Sequence, residues 1–192
     1  MSAKIRRWFN LTLARWCGFF QQRETALKYL RAALAAAPDD PLVLSAAGVS
    51  LAELGHRREA LACFDRALAA TPEKAELHFN RGFMLQQEGD EEAAIVAFRR
   101  AVELDPKHDR AHYGLALSLI KLKRLEEAIA PLKENAKLQP MSPYGWYQLG
   151  RVRHALGQHE KAQQIIDRLA GFEPKVAAQL ARETGLKAPP KP

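Results

Sequence analysis

The sequence predicts an all-α protein assembled from tandem helix–turn–helix units, and three observations lead there. The chain is rich in Ala, Leu, Glu, Arg and Lys but poor in Val, Ile and Thr, so its β-branched residues are too few and scattered for a sheet. Pro38, Pro72, Pro106, Pro140 and Pro174 fall 34 residues apart without a slip. On that period, equivalent positions carry equivalent chemistry. A chain of 192 residues is long enough to bury a sizeable core, either as one domain or as a repeat array.

The period divides the chain into blocks 7–40, 41–74, 75–108, 109–142 and 143–176, with residues 1–6 as a basic lead-in. Positions are counted from the start of each block. Position 8 is small (Ala14, Gly48, Gly82, Ala116, Gly150) and position 20 is always alanine (Ala26, Ala60, Ala94, Ala128, Ala162). Both suit places where two helix backbones approach closely. Position 24 is large and apolar: Leu30, Phe64, Phe98, Leu132, Ile166. Position 11 is mostly apolar (Cys17, Leu51, Leu85, Leu119), and Arg153 breaks it. Positions 4, 7, 8 and 11 line one helical face and 20, 21, 24, 27 and 28 another, which makes two helices per block. Gly55, Gly89 and Gly157 at position 15 supply the turn between them. Asp90 is placed to cap the second helix of its block. The proline at position 32 cannot continue a helix, so the next one starts afresh.

The pattern resembles the tetratricopeptide repeat, a 34-residue helix pair. Gly82, Leu85, Ala94, Phe98, Ala101 and Pro106 stand at the family's positions, and Trp146, Leu149 and Gly150 match its aromatic-Leu-Gly signature. Five such blocks cover 7–176. The resemblance implies a right-handed α-solenoid of antiparallel helix pairs, the superhelix of that family. Block 7–40 is degenerate, with Asn10 for the first aromatic and Gln21 for the turn glycine, as a terminal repeat with one neighbour can be. Residues 175–186 read as a capping helix with Val176, Leu180 and Thr184 on one face and Gly185 near its end. Residues 187–192 read as a disordered Pro/Lys tail.

The resemblance also implies a binding surface. In the family, first helices line a concave groove, and positions 2, 5, 6 and 9 point into it. Here those positions supply Phe79, Asn80 and Phe83, then Arg110, Tyr113 and Leu117, then Tyr144, Tyr147, Gln148 and Arg151. The second block offers only Leu42, Ser45, Ala46 and Val49. An aromatic floor with polar arms suits an extended or helical peptide, because rings give large contact area at low entropic cost. The alternative is that several of these rings pack between neighbouring helices. The carboxylate clamp by which one subclass holds chaperone tails matches at Asn80, has Arg110 at a lysine position, and fails at Ser45, Val49 and Gly114.

The N-terminal block sets Trp8, Phe9, Trp16, Phe19 and Phe20 among Lys4, Arg6, Arg7, Arg15 and Arg23. It reads either as a first helix packed on block two or as an amphipathic helix that docks on an anionic membrane or a partner. A signal sequence is a poor fit, since Arg15 interrupts the apolar run and no small-residue cleavage site follows. No stretch reaches the roughly 18 apolar residues that span a bilayer.

The formal charge is +7, distributed as +6 over 1–38, −2 over 39–72, −4 over 73–106, +3 over 107–140 and +4 over 141–192. The acidic middle interrupts any basic stripe, so nucleic acid is not an expected partner. Basic ends and an acidic middle also allow self-association. Cys17 and Cys63 read as free buried thiols in a reducing compartment, so a cytoplasmic protein is expected, peripheral to a membrane if the N-terminal helix docks there.

No HExxH, clustered Cys/His or EF-hand pattern appears, so neither metal nor cofactor is expected. His108 and His112 read as a surface pair. Acidic pairs Asp39–Asp40, Glu91–Glu92 and Glu126–Glu127 recur at helix starts, where they favour the macrodipole and need no acid–base role. The expected function is therefore a non-catalytic interaction scaffold or adaptor that holds a peptide segment of a protein partner. The alternative is a membrane-proximal assembly factor docked through its N-terminal helix.

Overall fold

A computed structural model describes residues 2–188, and among them every regular element is an α-helix. In chain order they are α1 (Ala3–Phe19), α2 (Arg23–Ala36), α3 (Pro41–Glu53), α4 (Arg57–Ala70), α5 (Ala75–Glu88) and α6 (Glu91–Leu104). These are followed by α7 (Asp109–Lys121), α8 (Leu125–Leu138), α9 (Pro143–Ala155), α10 (His159–Ala170) and α11 (Pro174–Thr184). They form two compact units, Met1–Pro106 and Lys107–Pro192.

Local chemistry accounts for the helix ends. Asp40 caps α3 through its carboxylate, which accepts from the Leu42 and Val43 amides at 3.0 and 3.1 Å. Asp90 caps α6 by accepting from the Ala93 amide at 3.1 Å. Glu91 and Glu92, then Glu126 and Glu127, fall in the first turns of α6 and α8. The turn at position 15 is left-handed in all five blocks. Glycine supplies it at Gly55, Gly89 and Gly157, whereas Gln21 and Lys123 adopt φ of 58° and 63° without that freedom. The 34-residue prolines lie just beyond α2, α4, α6 and α8, but Pro174 opens α11 because α10 stops early, at Ala170.

Several boundaries differ from the sequence reading. The basic lead-in is no separate segment: Ala3–Arg6 belongs to α1, whose N-cap is Ser2. Lys187 is held to Gln163 by two hydrogen bonds of 3.0 and 3.1 Å, and residues 189–192 of the expected tail lie outside the described residues. Cys17 and Cys63 are free but only half-buried.

In unit 1 the core runs from Ala14, Leu30, Ala33 and Val43 to Leu51, Phe64, Leu77 and Met84. In unit 2, Leu119, Leu132, Ile166, Leu169 and Leu180 are fully buried. Positions 20, 24 and 27 of every block are buried, so one face of each second helix packs inward. Leu180 of α11 sits over Gly150 of α9, where a Cβ would meet its Cδ2 at 2.5 Å. The last helix thereby covers the final hairpin.

Candidate functional site

Each unit presents part of the expected binding surface. In unit 2 the residues lie on one face of α7 and α9. Tyr144 is 68% exposed; Arg110 and Arg151 are exposed; Tyr113, Leu117, Tyr147 and Gln148 are half-buried. Tyr113 is hydrogen-bonded to Gln148 and lies near Tyr144, and burial pushes its phenol above the ordinary value while the Gln148 bond pulls the other way. These contacts tie α7 to α9.

The row continues onto α11. The Tyr147 hydroxyl donates to the Glu183 carboxylate at 2.6 Å and accepts from Gln179 Nε2 at 3.3 Å. Arg151 lies 3.7 Å from Glu183 and 5.7 Å from the centre of the Tyr147 ring. Burial and the Glu183 carboxylate push the Tyr147 phenol up, whereas hydrogen bonds from Tyr147 and Gln179 hold the Glu183 carboxyl down. The apolar stripe of α11 does not by itself point to Gln179 and Glu183. Their i,i+4 spacing beside that stripe was the available signal.

In unit 1 the expectation needs one correction. Phe79 is 4% exposed and is not a groove residue. Its ring packs 6.0 Å from Phe98 and 6.4 Å from Phe83, one turn before Gly82, whose missing side chain leaves room for Phe98. Position 5 here closes the hairpin interior. Phe83 remains 42% exposed, and Asn80 is half-buried.

On α1 the rings are open: Trp8, Phe9, Trp16 and Phe19 are all exposed, Trp16 at 60% and Phe19 at 78%. Trp16, Phe19 and Phe20 form their own cluster, with centroids 5.3–6.5 Å apart. The face that packs on α2 carries Leu11, Ala14 and Cys17 instead. These aromatic rings are therefore outside the buried core.

His108 is the N-cap of α7, its Nδ1 accepting from the Ala111 amide at 3.2 Å, and His112 is buried, so the expected surface pair is not formed. Among the described residues no group of three or more His, Cys, Asp or Glu side chains could hold a metal. No helix among them is long and apolar enough to cross a membrane.

Three family models, each a tetratricopeptide repeat, match residues 45–108, 85–146 and 143–175. A search of curated proteins finds no match. Among solved structures, MamA (residues 41 to the end) from Desulfovibrio magneticus RS-1 superposes with a TM-score of 0.81 at 23% identity, over 88% of this chain and 96% of that one. YrrB, described as a TPR protein with an unusual peptide-binding site, superposes with a TM-score of 0.78 at 22% identity, over 90% of each chain. Helix pairs, repeat spacing and the three matched segments lead to one conclusion: the chain belongs to the tetratricopeptide repeat family and has its all-α solenoid fold.

Proposed function

We propose that this protein is a non-catalytic interaction scaffold that holds a peptide segment of a protein partner on its first-helix faces. The observation that carries the reading is the row on unit 2 formed by Tyr113–Gln148 and Tyr147–Glu183, with Tyr144 exposed beside it. Rings held by hydrogen bonds lose little further entropy when a ligand lands on them. Arg110 and Arg151 add donors for backbone or carboxylate groups. On α5 of unit 1, Phe83 and Asn80 offer the same chemistry by themselves. The description of YrrB as peptide-binding is consistent with this use of the fold.

The test is a peptide selected on the purified chain, its affinity read by fluorescence anisotropy. Tyr144→Ala with Tyr113→Ala should weaken it about tenfold or more. Unchanged affinity in a folded double variant would sink the assignment.

A second reading is favoured by one observation on α1. Position 3 is buried in the next two first helices, at Val43 and Leu77, and position 10 is buried at Met84 of α5, whereas on α1 they are the exposed Phe9 and Trp16. Together with Ile5, Trp8 and Phe19 they form a stripe opposite the α2-packing face, flanked by Lys4, Arg6 and Arg15. That stripe suits an anionic bilayer surface. Vesicles containing phosphatidylglycerol should carry the chain upward in flotation, but not a Trp8, Trp16, Phe19→Ser variant. Equal flotation of the two would remove the reading.

A further inference from the structure

Position 11 is where the repeat pattern breaks, and the break opens on a cavity. The position is Leu51, Leu85 and Leu119 in the middle blocks but Arg153 on α9, where the side chain is nonetheless buried, at 8% exposure. Its one recorded bond among the described residues is to the Gln158 side-chain oxygen, a neutral acceptor. A buried guanidinium without a carboxylate is costly, and a leucine would fill the site more cheaply. Placement in the last turn of α9 offsets only part of that cost.

Arg153 is one wall of an open cavity of about 800 Å³ between α8, α9 and α10 of unit 2. The other cations around it are Lys133, Lys137, Lys161 and Arg168, and none of its described lining residues is acidic. Lys137 pairs with Glu134 at 3.2 Å. Lys133, Lys161 and Arg168 make no ion pair with any described residue.

Arg168 lacks a partner for a reason visible in the repeat. At the same position, 26, Arg66 reaches Asp39 and Arg100 reaches Glu73, each at 2.9 Å and each across to position 33 of the preceding block. In the last block that preceding position is Met141, which cannot accept. Arg168 turns onto the Trp146 ring instead, 4.2 Å from its centre. Arg168 is thus left without the acidic partner that its register supplies elsewhere, Arg153 stands where other blocks carry an apolar side chain, and both line the same cavity.

We propose that this cavity binds a small oxyanion carrying two or more negative charges, with Arg153 and Arg168 as its principal ligands and Lys133 and Lys161 around it. Guanidinium forks match the geometry of phosphate and carboxylate oxygens, and the four cations without an ion pair, Arg153, Arg168, Lys133 and Lys161, repel one another until an anion enters. The wall formed by Trp146, Leu149 and Ile165 leaves room for an apolar portion of the same molecule. Trp146, Leu149 and Arg153 lie on the side of α9 opposite Tyr144, Tyr147 and Arg151, so this site is separate from the proposed peptide surface and does not rest on it.

The experiment is calorimetric titration of the full chain with pyrophosphate and with citrate, at constant ionic strength against chloride. Saturable binding below roughly 1 mM is expected for at least one of them. Binding of pyrophosphate alone assigns a phosphate group, and binding of both assigns charge shared with carboxylates. Arg153→Leu should lose at least tenfold in affinity while raising the melting temperature of the free protein, and Arg168→Ala should weaken binding without that gain. No saturable binding of either anion overturns the proposal. So does binding that Arg153→Leu leaves unchanged, since that would be a property of surface lysines only.

Discussion

At positions 8 and 24 of the repeat, two residues vary together. Where position 24 is phenylalanine, position 8 is glycine: a Cβ on Gly48 would meet Phe64 at 2.6 Å, and one on Gly82 would meet Phe98 at 2.9 Å. Where position 24 is Leu30 or Leu132, position 8 is Ala14 or Ala116, because the branched chain leaves space for a methyl. Gly82→Ala should therefore cost about 1–3 kcal/mol through overpacking. Adding Phe98→Leu should recover much of it, so a double-mutant cycle read by denaturant melts should show coupling near 1 kcal/mol. Additive effects would show that the ring and the glycine do not share that space. A related pair stands at Asn135 and Gly145: Asn135 occupies a position that is alanine in the first three blocks, donates to the Asp109 carbonyl at 2.9 Å, and leaves no room for a Cβ on Gly145.

Among elements, the turns and the last helix are the sensitive ones. Lys123 holds a left-handed conformation that glycine takes in three other blocks. Lys123→Gly should stabilise by about 0.5–1 kcal/mol, since the Cβ strain removed outweighs the added freedom of the unfolded chain. A lower denaturation midpoint would contradict this.

The hold of α11 on α9 should depend on pH. The Glu183 carboxyl is held below its ordinary 4.5 by the Tyr147 hydroxyl, Gln179 and the nearby arginines. Its contribution is present above that ordinary value and is lost as pH falls through the depressed one. The Tyr147 phenol is raised above 10.0 by burial and by Glu183, so its contribution is present below that ordinary value and is lost as pH rises through the raised one. Amide exchange in α11, corrected for intrinsic rate, should lose protection on the acid side, and Glu183→Gln should flatten that response.

For the whole molecule, contacts in a repeat array run between neighbours, so damage should remain local. Gly82→Ala should reduce exchange protection in α5 and α6 far more than in α10 and α11. Uniform loss would instead mark a single cooperative body. Charge is also divided by unit: the basic and acidic blocks of unit 1 cancel, so the whole +7 lies in unit 2. Multivalent anions should accordingly protect helices α8–α10 from exchange, while α2–α5 respond only to ionic strength.

The sequence by itself determined the helix pairs, their period and the family, because a 34-residue unit must place small residues wherever two helices touch. Tyr144, Arg151, Arg110 and Phe83, which periodicity puts off the core, are exposed. Tertiary packing decided the rest. Phe79 turns inward to pack on Phe98, whose ring lies over Gly82, and Trp16 and Phe19 stay outward while Leu11, Ala14 and Cys17 occupy the more buried side of α1. Arg153 reads in the sequence as a broken pattern, and Arg168 carries no signal there. Only the folded chain brings them to one cavity without a carboxylate, since pairing across blocks is a matter of distance in space that no single position in the repeat encodes.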